Sequence, residues 1–275
     1  MQANNILSAG RLGAYFRKHL LDNYRFYGMA LIVLTGLLLL IMGFYFFNDG
    51  NPQRKYSDLI PIYLVGMFLA GGIFTSMSFS ELGTNPRGID YLLFPASHLE
   101  KFLSTLLVTV VGFLVMYHVA FYFAATMSES IAFARFGNHI NNDLQRYTTD
   151  NKWWYSYYFW FIVQALFLLG AIYTHKYSFI KTVFFFLLFA GAIYLLHTVT
   201  AYTFFGSKLH KWNEHIPFVG VRVMIDQSVS HAAYPMDDFL VVPKKYADFL
   251  LFIGKYLVAP CLWTMAYFRL RDKEI

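Results

Sequence analysis

Six stretches of this chain run for about twenty residues or more with almost no charge, and no other feature restricts its fold as strongly. They are 26–47, 59–79, 102–125, 153–173, 182–205 and 249–268, together about half of the 275 residues. A helix needs about 20 apolar residues to cross a hydrocarbon core about 30 Å thick. Lipid offers no partner to a backbone N–H or C=O, so only helices or closed barrels can span it. Barrel strands alternate polar and apolar residues, and these runs do not. The expected fold is therefore all-α: a polytopic membrane protein with six transmembrane helices. The chain is 57% hydrophobic and 14% charged, where a soluble domain carries about 25% charge. That excludes a disordered chain and a soluble enzyme. The single cysteine, Cys261, excludes an intrachain disulfide framework and a multi-cysteine metal site. The first run is too long for the h-region of a signal peptide, about 7–15 residues, so it is expected to stay as an anchor.

The segments between the spans carry their own signals. Residues 8–25 place Leu12, Tyr15, Phe16, Leu20 and Tyr24 at helical spacing, with Arg11, Lys18, Asp22 and Arg25 on the other side. This predicts an amphipathic helix lying in the headgroup plane. Between spans two and three, Gly83 can close one helix. Asn85 and Pro86 can open another, which Pro95 stops. The pattern predicts a short cytoplasmic helix over 86–94 with Ile89, Leu92 and Leu93 on one face and Arg87 and Asp90 polar. Ser97-x-x-Glu100 then reads as a capping box that opens span three.

The stretch Gly88-Ile-Asp90-Tyr-Leu92-Leu93-Phe-Pro95-Ala-Ser97, followed by Glu100-Lys101, resembles the cytoplasmic coupling segment of type-2 ATP-binding-cassette permeases. That family joins spans two and three by a Gly-x-acidic-x-Leu-Leu-x-x-Pro type of sequence. This chain has one residue fewer between the leucines and the proline than many members. The N-terminal interfacial helix, the six spans and a longest outer loop at 206–248 resemble the same family. So does the C-terminal Trp263-Thr-Met-Ala-Tyr-Phe-Arg-Leu-Arg-Asp-Lys-Glu. The resemblance implies a single transmembrane domain over 1–275 whose coupling helix, through Arg87, Gly88, Asp90, Leu92, Leu93, Pro95, Ser97 and Glu100, sits in a groove of a separate ATPase subunit. It also implies a second permease copy or a paralogue facing this one.

Some chemistry is missing. Gly206-Ser-Lys208 lacks the upstream glycine and the following hydroxyl of a phosphate-binding loop. The chain is therefore expected to be no enzyme and to hold no cofactor, with ATP and Mg on the partner ATPase. The spans contain no Asp or Glu, which ion-coupled carriers often use near mid-membrane. The polar groups inside them are His118, Gln164, His197 and Lys255. They are candidates for a transport path, and single polar groups of this kind also serve as interhelical hydrogen-bonders. Lys255 is a functional hypothesis by default, yet a sixth helix beginning near Lys244 would leave it near the outer interface, where it can snorkel. The loop 206–248 contains His210, Glu214, His215, His231, Asp237 and Asp238, but nothing in their spacing forces convergence on a metal. A solvated outer cap with short re-entrant or interfacial pieces is expected there. A polar excursion is expected over 126–152, ahead of an aromatic belt at Trp153, Trp154, Tyr155 and Tyr158.

Basic residues divide nearly evenly between the two sides of the spans. Dense clusters flank the first and last spans, which favours two cytoplasmic termini, and the resemblance implies a bacterial inner membrane. The basic pI near 9.2 then reflects contact with lipid headgroups rather than nucleic acid. Two functions fit. One is a permease driven by a separate ATPase, an exporter of a lipid, drug-like or peptide substrate. The other is a non-transporting membrane scaffold subunit of an envelope complex.

Overall fold

A computed structural model of the chain describes residues 7–48, 55–79, 96–137, 154–174, 176–205, 215–216, 220–224, 237–241 and 243–273. Among the described residues, six helices are long and apolar enough to cross a membrane, one for each run in the sequence. The chain divides into two compact units, Met1–Phe179 with Ala259–Ile275, and Ile180–Val258.

The first unit begins with α1, Ala9–Asp22. It is shorter than the 8–25 expected, because Asn23 interrupts it. The Asn23 side chain and backbone N–H both donate to the His19 carbonyl, at 3.1 and 3.3 Å. The side-chain bond competes for the carbonyl that the backbone N–H uses in a continuing helix. Tyr24 accordingly opens α2, Tyr24–Asn48, rather than closing the amphipathic helix. A 3-10 turn, Tyr56–Leu59, leads into α3, Ile60–Met77.

Span three is a composite. It starts with α4, His98–Leu106, passes through a π-helical turn, Leu107–Gly112, and continues as α5, Phe113–Phe136. The polar excursion expected from residue 126 is thus helical as far as 136. Gly137 ends it, with φ 71° and its N–H bonded to the Phe133 carbonyl at 2.8 Å, a left-handed cap natural to glycine. The extension is held from the side, since the Tyr56 hydroxyl donates to the Glu129 carboxylate. Span four is α6, Tyr155–Tyr173.

Two pairings build the core: α2 packs on α5, and α3 packs on α6. On α5, Ala120, Ala124, Ser128 and Ala132 are all buried. They repeat every four residues, a small-residue stripe that lets a neighbouring helix approach closely. Leu38, Met42 and Phe46 of α2 share its core. On α3 the small residues face inward as well. A Cβ on Gly66 would stand 2.5 Å from the Tyr117 hydroxyl, and one on Gly72 would stand 2.7 Å from the Phe167 ring. The small-residue face of Gly66 is therefore used within the chain.

The second unit holds most of α7, Ser178–Phe205, whose apolar side chains are almost all exposed, as expected of a lipid-facing span. The loop after it contains three short strands, β1 (His215–Ile216), β2 (Gly220–Met224) and β3 (Asp237–Val241). They form an antiparallel sheet in the order β1-β2-β3, with Val221 opposite Leu240 and Met224 opposite Asp237. The sequence reading expected no strands here. The helical reading holds for the spans, and the loop adds pairing between distant segments. The sixth span is also two helices rather than one. α8, Lys244–Tyr256, stops at Leu257, and α9, Val258–Lys273, follows. Pro260 is the cause, because it cannot supply the N–H that a continuous helix needs there, whereas the first turn of a new helix does not use it.

Candidate functional site

Span three starts on a buried carboxylate that was legible in sequence only as half of a cap. Ser97 is the N-cap: its hydroxyl accepts from the Glu100 N–H at 3.2 Å, and Glu100 Oε2 accepts from the Ser97 N–H at 2.9 Å. The expected capping box is thus present. The other carboxylate oxygen reaches much farther along the chain. Glu100 Oε1 accepts from the backbone N–H of Ser8 at 2.7 Å and from Nε and Nη2 of Arg11 at 3.2 and 3.1 Å. Glu100 has no exposed surface, while the Arg11 side chain is 37% exposed. One side chain therefore fastens the first turn of α1 to the first turn of α4. It satisfies orphan N–H groups at the ends of two helices and places negative charge where both dipoles favour it.

The same end of the unit carries a second anchor. Phe79, just past α3, and Phe102, in α4, are buried in one apolar cluster with Leu168, Ala171 and Ile172 of α6 and Ala266 and Leu270 of α9. The guanidinium of Arg269 stacks over the Tyr173 ring at 4.8 Å, joining the ends of α9 and α6. Both flanks of the connector between spans two and three are therefore fixed in packed structure. The expected helix 86–94, with Arg87, Gly88, Asp90, Leu92, Leu93 and Pro95, lies outside the described residues, as do Gly83 and Asn85. Of the candidate coupling residues, Ser97 and Glu100 are placed. Both hold the framework together, and the Glu100 oxygens are engaged within the chain.

In the first unit, Gln164 and His118 belong to separate networks. Gln164 is buried on α6 and donates to the Thr109 carbonyl at 2.8 Å and to the Thr75 hydroxyl. It ties three spans together and provides for a carbonyl within the π turn, where the ordinary helical pattern is broken. His118 belongs to a separate network. Its Nδ1 donates to the Leu114 carbonyl at 2.7 Å, since a carbonyl can only accept. Its Nε2 lies 2.8 Å from the Tyr63 hydroxyl and 3.2 Å from that of Tyr157, which are 2.9 Å apart. The Tyr117 hydroxyl donates to the Tyr63 carbonyl at 2.7 Å. In the second unit, His197 is half-buried on α7, where its carbonyl accepts from Thr200 at 2.8 Å. Lys255 is half-buried in the last turn of α8, a helix that begins at Lys244.

Sequence reasoning missed Ser8 and Arg11 as partners of Glu100. The capping box was the available signal, and a Glu at that position next to a basic amphipathic helix could have raised the question. It also missed Tyr63 and Tyr157, which look like ordinary span aromatics. Among the described residues no three His, Cys, Asp or Glu side chains are grouped as a metal site. No protein-family model, curated protein or solved structure matches this chain.

Proposed function

We propose that this chain is the permease subunit of an ATP-binding-cassette transporter, and that a separate ATPase docks on the connector between its second and third spans. The supporting observation is the double anchorage of that connector. Phe79 and Phe102 hold its two ends in one cluster, and Glu100 locks the start of span three to α1. A segment fixed at both ends passes a rigid-body motion to the spans, where a loose loop would absorb it. In this reading α1 lies at the membrane interface, both termini are cytoplasmic in a bacterial inner membrane, and the helix 86–94 is the contact. ATP and Mg belong to the partner. The chain works with a second copy or a paralogue, and the cargo is a lipid, drug-like molecule or peptide moving outward. The chain itself catalyses nothing.

Co-purification tests this reading. The full chain, solubilised from its native membrane, should carry an ATP-binding-cassette ATPase with it. Leu92→Asp with Leu93→Asp should release that ATPase while leaving membrane insertion intact. An unchanged yield of ATPase with that variant would overturn docking through 86–94, and a complex with envelope proteins and no ATPase would overturn the permease reading and favour the scaffold.

A further inference from the structure

A half-open cleft of about 430 Å³ lies at the same end of the first unit, where α1 turns into α2. This is within the range of about 300–1,000 Å³ typical of small-molecule sites. Its composition is divided. His19, Asp22, Asn23 and Arg25 come from the joint between α1 and α2, while Phe26, Tyr27, Phe74, Met77 and Val108 supply apolar wall. The rings of Tyr27 and Phe74 are 5.9 Å apart, and the Tyr27 hydroxyl lies 2.9 Å from His19 Nε2, so the joint is braced from within. Ser78, just past α3, with Thr105 and Thr109, just before and within the π turn of span three, completes the lining.

The charges at the rim suggest what fits. Asp22 and Arg25 offer a carboxylate and a guanidinium to the same space. Of the five N–H donors of Arg25, Nε is engaged by the Tyr24 hydroxyl at 3.0 Å. A purely anionic ligand would meet Asp22, and a purely cationic one would meet Arg25. A headgroup with a phosphate and a primary ammonium complements both. The apolar wall, formed by three spans, suits an acyl chain entering from the bilayer.

We propose that this cleft binds one aminophospholipid from the adjoining leaflet, its phosphate on Arg25, its ammonium on Asp22 and its acyl chain along Phe74 and Met77. The site does not depend on the permease reading. It requires only that α2 and α3 cross a bilayer. The headgroup brackets the α1–α2 joint, so the bound lipid fastens the amphipathic helix to the spans. A choline headgroup has no N–H to give Asp22, and a glycerol headgroup has no cation.

The test uses the full chain, purified in detergent and stripped of native lipid. Dioctanoyl phosphatidylethanolamine, phosphatidylglycerol and phosphatidylcholine are titrated in, and bound lipid is counted by native mass spectrometry. The ethanolamine lipid should bind as a single tight molecule, about tenfold or more above the other two, the range expected for charge-assisted hydrogen bonds. Asp22→Asn should erase that preference. Arg25→Ala should weaken all three lipids by about tenfold, and Ser78→Trp should block the cleft. Arg135→Ala, far along α5, should change nothing, and millimolar inorganic phosphate should not displace the lipid. Equal binding of the three lipids, insensitive to both Asp22→Asn and Ser78→Trp, would mean surface lipid only and would overturn the proposal. Displacement by inorganic phosphate would overturn it too, as a free-phosphate site.

Discussion

Replacing Glu100 with alanine should loosen α1 from the rest of the chain without dismantling the spans. The carboxylate is fully buried and accepts from Ser97, Ser8 and Arg11. Loss of the capping box costs about 1 kcal/mol. A buried charge-assisted bond to a backbone N–H, here from Ser8, contributes about 1.5–3 kcal/mol. The Arg11 pair adds less than about 1 kcal/mol, because its guanidinium end is more than a third exposed and screened by water. These contributions overlap, and about 3 kcal/mol is a reasonable total for the clamp. At about 1.4 kcal/mol per tenfold, local opening should become more than about 100-fold more frequent. Amide hydrogen exchange in lipid nanodiscs measures this directly. Peptides covering Ala9–Asp22 should exchange faster by that factor, and the first turn of α4 should loosen with them. Peptides from α5 should hold their protection. Glu100→Gln keeps one acceptor oxygen and should fall between the two. Exchange over Ala9–Asp22 within threefold of the native chain would refute the clamp.

Other outcomes follow from the packing. Gly72→Val places new methyls where the Phe167 ring already lies, since even a Cβ would come within 2.7 Å. A loss of about 1–3 kcal/mol is expected in detergent-to-SDS unfolding, whereas Gly191→Ala, in open space on α7, should show no loss from crowding. Gln164→Met keeps the volume but removes both donors to Thr75 and Thr109, and about 1 kcal/mol should be lost by the same assay, as for other interhelical bonds in membranes. A loss above about 3 kcal/mol would show that the π turn depends on Gln164 far more than a single bond allows. Topology is tested on a Cys261→Ser background with an impermeant thiol reagent applied to intact cells. Cysteine at position 230 should label, and cysteines at 5 and 274 should label only after permeabilisation.

The spans needed nothing but the sequence. Long uncharged runs such as 26–47 can satisfy their backbone groups in lipid only as helices, so composition fixed both their existence and their number. Local stereochemistry was readable too where the signal sits within a few residues, as in the Ser97–Glu100 capping box. The break at Leu257 was equally local, written in Pro260, but the hydropathy of 249–268 concealed it. The β2–β3 ladder was not legible, because its partners are separated by a dozen or more residues and its strands are only five long. The second bond set of Glu100 was hidden for the same reason. Ser8 and Glu100 are 92 positions apart, and a cap looks the same in sequence whether its other oxygen faces water or a second helix. The pairing of α2 with α5 rests on which helix presents Ala120, Ala124, Ser128 and Ala132 to Leu38 and Met42. Every span is apolar, and hydropathy cannot rank neighbours among apolar surfaces. Shape complementarity and buried polar bonds choose between them, and those exist only once the helices are together.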